Sequence, residues 1–290
     1  MARQPVRERA LVLGGGGSAG HAWLIGVLAG LADGGLDVTD ADLVVGTSAG
    51  ATAAAQVLST SPTELYTAVL DAPVPPRRSA GRPSVDHLAR TGRIIAAATD
   101  PADMRRRLGA AALDLEEEPG GSWTERWRSI VSTRLPGPDW PDRKLRVTAV
   151  DARTGEGVVL ERDSGLDLVD AVAAGTSSGM PYAVGDDRYL DGGYRRNENA
   201  DLAAGYERVL VLSPLGGRTR TPLAWGQHLA AQVDELRGGG SRVETVVPDR
   251  AALNRLRRRP DGPAATRPPA ARAGHAQGRG LAARLSALWR

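Results

Sequence analysis

Apolar and polar positions switch between two periods along the first fifty residues. Ala10-Leu11-Val12-Leu13 is a continuous apolar run that ends in four glycines, the pattern of a buried parallel strand entering a tight turn. Apolar residues then recur at helical spacing over 18–33 (Ala22, Ile25, Leu28, Ala29, Ala32), and Gly34-Gly35 closes the helix. A second run, Leu43-Val44-Val45, passes through Gly46-Thr47-Ser48-Ala49-Gly50 into an Ala-rich helix over 49–58. Two strand–glycine turn–helix units in succession predict an α/β fold, with a mostly parallel central sheet sandwiched by helices.

The pattern then changes. Helical spacing dominates near 62–71, 84–98, 101–113 and 123–133, with a Pro-rich loop at 72–83. Residues 59–140 thus form a helical insertion in the middle of the chain, expected to cover one side of the sheet. Strands resume at 145–151, 157–161, 187–190, 207–213 and 242–247. The Pro- and Ala-rich stretch 259–269 reads as a linker. A C-terminal helix over 270–289 follows, docking through Leu281, Ala282, Leu285 and Leu288. Residues 1–290 are read as a single domain without internal repeats.

Composition narrows the chemistry. The 290 residues contain no Cys, which excludes disulfides, thiolate metal sites and a cysteine nucleophile. Four scattered His have no metal-ligand spacing. No segment is long and apolar enough to span a bilayer. Leu11 to Leu31 holds seven Gly and lacks a small-residue cleavage site, so it reads as structure rather than a signal peptide. A cytoplasmic protein is expected, with peripheral contact to membranes at most.

Three glycine-bearing motifs carry the candidate chemistry. The first, Gly14-Gly15-Gly16-Gly17-Ser18-Ala19-Gly20, contains a formal G-x-G-x-x-G between strand and helix. A dinucleotide site also needs an acidic residue at the end of the second strand, and here that strand ends in Gly46-Thr47-Ser48. A dinucleotide cofactor is therefore not expected. Backbone amides at a helix start remain suited to a negative oxygen. The second motif, Gly46-Thr47-Ser48-Ala49-Gly50, is a G-x-S-x-G in which flanking glycines permit a sharp turn that exposes a nucleophilic hydroxyl. The third, Leu190-Asp191-Gly192-Gly193, ends a strand, and beside a nucleophilic serine its Asp191 is a candidate base. The order Ser48, Asp191, His228 also matches an α/β-hydrolase triad. Against the triad, only one strand precedes that of Ser48, and His228 falls in a helix expected over 222–236.

Together these motifs resemble the patatin-like phospholipase family of serine acyl hydrolases. The resemblance extends through Asn197-Glu198-Asn199-Ala200-Asp201-Leu202, the strand at 207–213, Val246-Val247-Pro248-Asp249 and the segment 271–279. One departure stands out: the family's loop carries Arg or Lys just before its last Gly, where this chain has Ala19. The resemblance implies hydrolysis of a lipid or small acyl ester, with Ser48 as nucleophile and Asp191 as base. Gly14, Gly15, Gly16 and Gly17 would form the oxyanion hole, helped by the amide of Ala49, with neither metal nor organic cofactor. A non-catalytic lipid-binding protein on the same fold is the alternative.

Charge adds a partner. The chain carries +3 overall, but from Arg255 onward nine Arg face one Asp, a net +8 that leaves −5 for the rest. With Arg77, Arg78, Arg105, Arg106 and Arg107, this predicts weak, salt-sensitive contact with anionic membranes, assisted by Trp123, Trp127 and Trp289. The competing expectation pairs these arginines with Glu116, Glu117 and Glu118. No aromatic residues interleave with the C-terminal arginines, so nucleic acid is not an expected partner.

Overall fold

A computed structural model describes residues 8–73, 84–115, 122–250, 252–253 and 264–290. The apolar runs form β1 (Arg9–Leu13) and β2 (Leu43–Gly46), and the helical spacings form α1 (Gly17–Asp33) and α2 (Ala49–Val57). Four helices follow: α3 (Pro62–Asp71), α4 (Ser84–Ala97), α5 (Pro101–Leu113) and α6 (Ser122–Ser132). Ser61 and Glu64 cap α3 reciprocally, and the Asp100 carboxylate accepts the Asp103 amide at 2.8 Å to start α5.

The remaining strands are β3 (Leu145–Asp151), β4 (Gly157–Leu160), β5 (Tyr182–Val184), β6 (Asp187–Asp191), β7 (Arg208–Leu212) and β8 (Arg242–Val246). Helices α7 (Leu168–Gly175), α8 (Leu229–Gly238) and α9 (Arg267–Trp289) lie among these strands and after them, with short 3₁₀ turns between elements. Strands β3, β2, β1, β7 and β8 are neighbours in that order and all parallel, while β4, β5 and β6 join antiparallel. The chain fills the sheet to one side of β1 with β2 and β3, and later to the other side with β7 and β8. That reversal makes a crevice at the carboxyl end of β1, where open α/β sheets bind ligands.

Helices from 59–140 divide between the two faces rather than covering one. Val69 of α3 and Val131 of α6 join the core under α1, with Leu11, Leu13 and Val44. Met104, Leu108 and Ala112 of α5 instead pack on Val150 and Leu190. Val150 pairs with Leu190, and Val147 and Ala149 belong to the α1 core, so the alternation of side chains puts α5 on the opposite face. Arg77, Arg78 and Glu116 to Glu118 lie outside the described residues.

The C-terminal helix is bound by backbone contact. A Cβ at Gly26 or Gly30 of α1 would strike the carbonyl of Ala271 or His275, and one at Gly274 or Gly278 would strike Trp23 or Val27. Glycines that weaken α9 as an isolated helix thus let it lie directly on α1. The linker expected at 259–269 does not hold for its second half. Residues 264–266 form a 3₁₀ turn and α9 begins at Arg267, because prolines fit the first turn of a helix; residues 259–263 lie outside the described residues. Trp289 is no membrane anchor either: it is 2% exposed, and its Nε1 donates to Asp40 at 3.0 Å. Among the described residues no helix is long and apolar enough to cross a membrane.

Candidate active site

The register of β3 explains how two residues 143 apart in sequence meet. Along β3 the even-numbered backbone groups face one edge: Lys144 O accepts from Val44 of β2 at 2.9 Å, and Ala152 N donates to Arg188 of β6 at 2.8 Å. Odd-numbered Asp151 faces the other edge, toward Glu156. So β2 and β6 share one edge of β3 and run toward each other. Strand β2 ends at Gly46 opposite Val147, and β6 ends at Asp191 opposite Ala149, with only Thr148 between the two levels.

Ser48 follows β2 with φ 53° and ψ −122°, a strained conformation for a residue with a side chain. Its neighbours allow it. A Cβ on Gly46 would press on Ala51, and one on Gly50 would strike the carbonyl of Leu13, so α2 seats tightly against the end of β1. The Ser48 hydroxyl donates to Asp191 Oδ2 at 2.8 Å. Asp191 is 9% exposed, and its Oδ1 accepts the Gly193 amide at 2.9 Å. Burial pushes its pKa up to about 6, against the opposing hydrogen bonds from Gly193, Ser48 and Ser178.

The glycine loop packs beside this pair, but its amides are not equivalent. Gly14 N donates to Leu212 O and Gly15 N to Asn197 O, both at 2.9 Å, so these two amides are already engaged within the protein. Their expected role as oxyanion donors is corrected to a structural one. Gly16 and Gly17 stand at the cap and first position of α1, where amides have no intrahelical acceptor, and Ala49 opens α2 in the same way. Gly17, Ser48 and Ala49 line one cavity of about 450 Å³. Asp191 faces another, of about 220 Å³, with Ile95, Met104 and Leu215.

A buried polar cluster, to whose Asn197, Glu198 and Asn199 the sequence analysis assigns no role, holds these parts together. Asn199 Nδ2 lies 2.7–3.2 Å from Thr47 Oγ1, Thr148 Oγ1, Gly192 O and Arg196 O. It therefore ties the ends of β2 and β6 to the middle of β3. Next to it, Asn197 Nδ2 donates to Gly15 O at 3.3 Å and to Glu198 Oε1 at 2.8 Å. Glu198 is buried with no cation partner among the described residues, also bonded by Ser213 and Gln232, and burial raises its pKa. The legible signal is a threonine, Thr148, set between the apolar residues Val147 and Ala149 of β3.

His228 caps the start of α8 instead of lying within a helix. It lines neither cavity, and its buried Nδ1 has no hydrogen-bond partner among the described residues. The Ser48 hydroxyl reaches Asp191 directly, with no imidazole between them.

Fold and site together define an α/β protein with a serine on a strained strand-to-helix turn, bonded to a buried aspartate at a sheet crevice. A model of the patatin-like phospholipase family matches residues 11–204, and the chain belongs to that family, whose general activity is lipid acyl hydrolysis. Among solved structures the chain is similar to VipD from Legionella pneumophila, at 14% identity and TM-score 0.46 over 96% of this chain and 67% of that one. It is also similar to the type III effector protein ExoU, at 15% identity and TM-score 0.39 over 95% and 54%. No curated protein matches the chain in sequence.

Proposed function

We propose that the protein hydrolyses a carboxylic acyl ester through a Ser48–Asp191 dyad. The observation that carries this reading is the 2.8 Å hydrogen bond from the Ser48 hydroxyl to a buried Asp191. Asp191 takes the hydroxyl proton as Ser48 Oγ attacks the acyl carbonyl, and then returns it to the departing alkoxide. A water molecule attacks the acyl-serine; Asp191 removes its proton, and Ser48 leaves as the restored hydroxyl when the acid departs. The amides of Gly16, Gly17 and Ala49, at two helix starts, stabilise the oxyanion in both halves. The backbone of the loop can do this without the cation that Ala19 replaces.

A fluorophosphonate probe, with the adduct mapped by mass spectrometry, tests the reading. Labelling at Ser48, together with loss of short-chain ester turnover by ~10³-fold or more in Ser48→Ala, is the expected result. An unlabelled, folded protein with no turnover would favour a lipid-binding role on the same fold.

A further inference from the structure

Among the described residues three other than glycine hold a left-handed φ, and all three stand at the site: Ser48, Asn199 and Ser178, the last at 59°. Ser178 gives its amide to Asp191, beside the Gly193 amide that bonds Oδ1 at 2.9 Å. The carboxylate thus lies in a cradle of two backbone donors from two separate turns, one after α7 and one after β6. Such donors favour the charged form of the acid against its burial.

One side chain meets both turns. His87 of α4 packs on Gly179, where a Cβ would strike its ring, and its Nε2 lies 3.2 Å from the Tyr194 hydroxyl. Gly179 follows Ser178 and Tyr194 follows Gly193, so one imidazole rests on the residue next to each amide. Helix α4 is fastened in this place. Arg90 Nη2 donates to Gly179 O at 3.4 Å, and Arg220 donates to Thr91 Oγ1 at 2.7 Å and to Leu88 O at 2.8 Å. His87 lines neither the Ser48 cavity nor the Asp191 cavity, so any part it takes in the reaction runs through these turns.

The charges facing His87 are Arg90 on its own helix and Arg220 from the loop after β7, while α5 presents the apolar Leu108 and Ala111. Burial first, then Arg90 and Arg220, lower the His87 pKa. Burial and then the charge of Asp191 raise that of Tyr194, which stays a neutral hydroxyl.

We propose that His87 is a positioning residue for Asp191: its ring, set against Gly179 and Tyr194, holds the Ser178 and Gly193 amides on the carboxylate. This rests on Asp191 as the base.

The test follows kcat/KM of a short-chain ester against pH. In His87→Ala the amides loosen and the carboxylate loses stabilisation, so the acid limb should move up by about one pH unit. That is ~5-fold lower kcat/KM at pH 6 and a value within ~2-fold of the wild type at pH 9. His87→Phe keeps a ring against Gly179 and should restore most of the loss. Tyr194→Phe should move the limb the same way by less, ~2-fold at pH 6, and serves if His87→Ala does not fold. Leu88→Ala, an exposed neighbour on α4, should leave the limb in place. A loss equal at both pH values, as weakened folding alone would give, overturns the proposal, and so does an unmoved profile or a shift shared by Leu88→Ala. A limb that stays displaced in His87→Phe would trace the effect to imidazole charge and overturns it too. Carbon-13 NMR titration of the Asp191 carboxyl, assigned by its loss in Asp191→Asn, keeps the two readings apart. If Asp191→Asn stays fully active the base reading fails, and the carboxyl midpoint decides the positioning role: higher in His87→Ala supports it, unchanged overturns it.

Discussion

The two halves of the Ser48–Asp191 pair are positioned by different means. Ser48 is set locally: its strained backbone exists because Gly46 and Gly50 let the chain turn against Ala51 and the end of β1. Asp191 sits at an unstrained strand end, φ −50° and ψ 131°, and its position depends on partners far away in sequence. Thr148, Asn199 and the shared edge of β3 bring β6 to the end of β2. A turn that presents a serine can therefore be written in five residues, whereas its aspartate partner arrives only when three strands and a buried amide close on one another.

The sharpest way to break this comparison is at the base. Asp191→Asn should lower turnover of a short-chain ester by ~10²-fold or more, since an amide cannot take the serine proton. The wild-type kcat/KM should fall as pH drops through about 6, where the buried carboxylate is protonated. Stability runs the other way. The folded pKa lies above the ordinary value of 3.8, so ionising Asp191 weakens the fold as pH rises from 3.8 to about 6 and costs up to ~3 kcal/mol beyond it. Asp191→Asn should accordingly unfold at a higher temperature than the wild type at pH 8, and lose that advantage at pH 4. A variant that stays fully active would assign the proton transfer to another group.

The next largest effect is expected at the clamp. Asn199→Ala removes the donor shared by Thr47, Thr148 and two carbonyls, and puts alanine at φ 53°. We expect a loss of ~2–3 kcal/mol in denaturant unfolding and ~10-fold in kcat, with KM nearly unchanged. A proportional rise in KM with kcat intact would instead make Asn199 part of substrate binding. Surface electrostatics should matter less. Sedimentation with anionic vesicles at low salt should show weak association that disappears at high salt, worth ~1 kcal/mol per basic residue at the surface. Equal binding to neutral vesicles would remove the electrostatic explanation. The smallest effect is expected for His228→Ala, under ~2-fold in turnover, because His228 lines neither of the cavities that Ser48 and Asp191 face. A large loss there would restore a triad.

Much of this molecule is legible in its sequence. Apolar runs and helical spacing locate β1, β2, β3, β6, β7 and the helices α1 to α6 to within a residue or two, since period and turn chemistry are local properties. Gly46-Thr47-Ser48-Ala49-Gly50 marks the strained turn for the same reason. Short elements escaped: β5 has three residues, and α7 is apolar on nearly every face, so neither carries a period. Only the tertiary structure decided the rest. It spread the inserted helices over both faces, engaged the amides of Gly14 and Gly15, and aimed β6 at the end of β2. It also brought His87 against Gly179 and Tyr194. Strand register and the partner of a buried polar group are fixed by which surfaces close together, a long-range energy that no window of sequence contains.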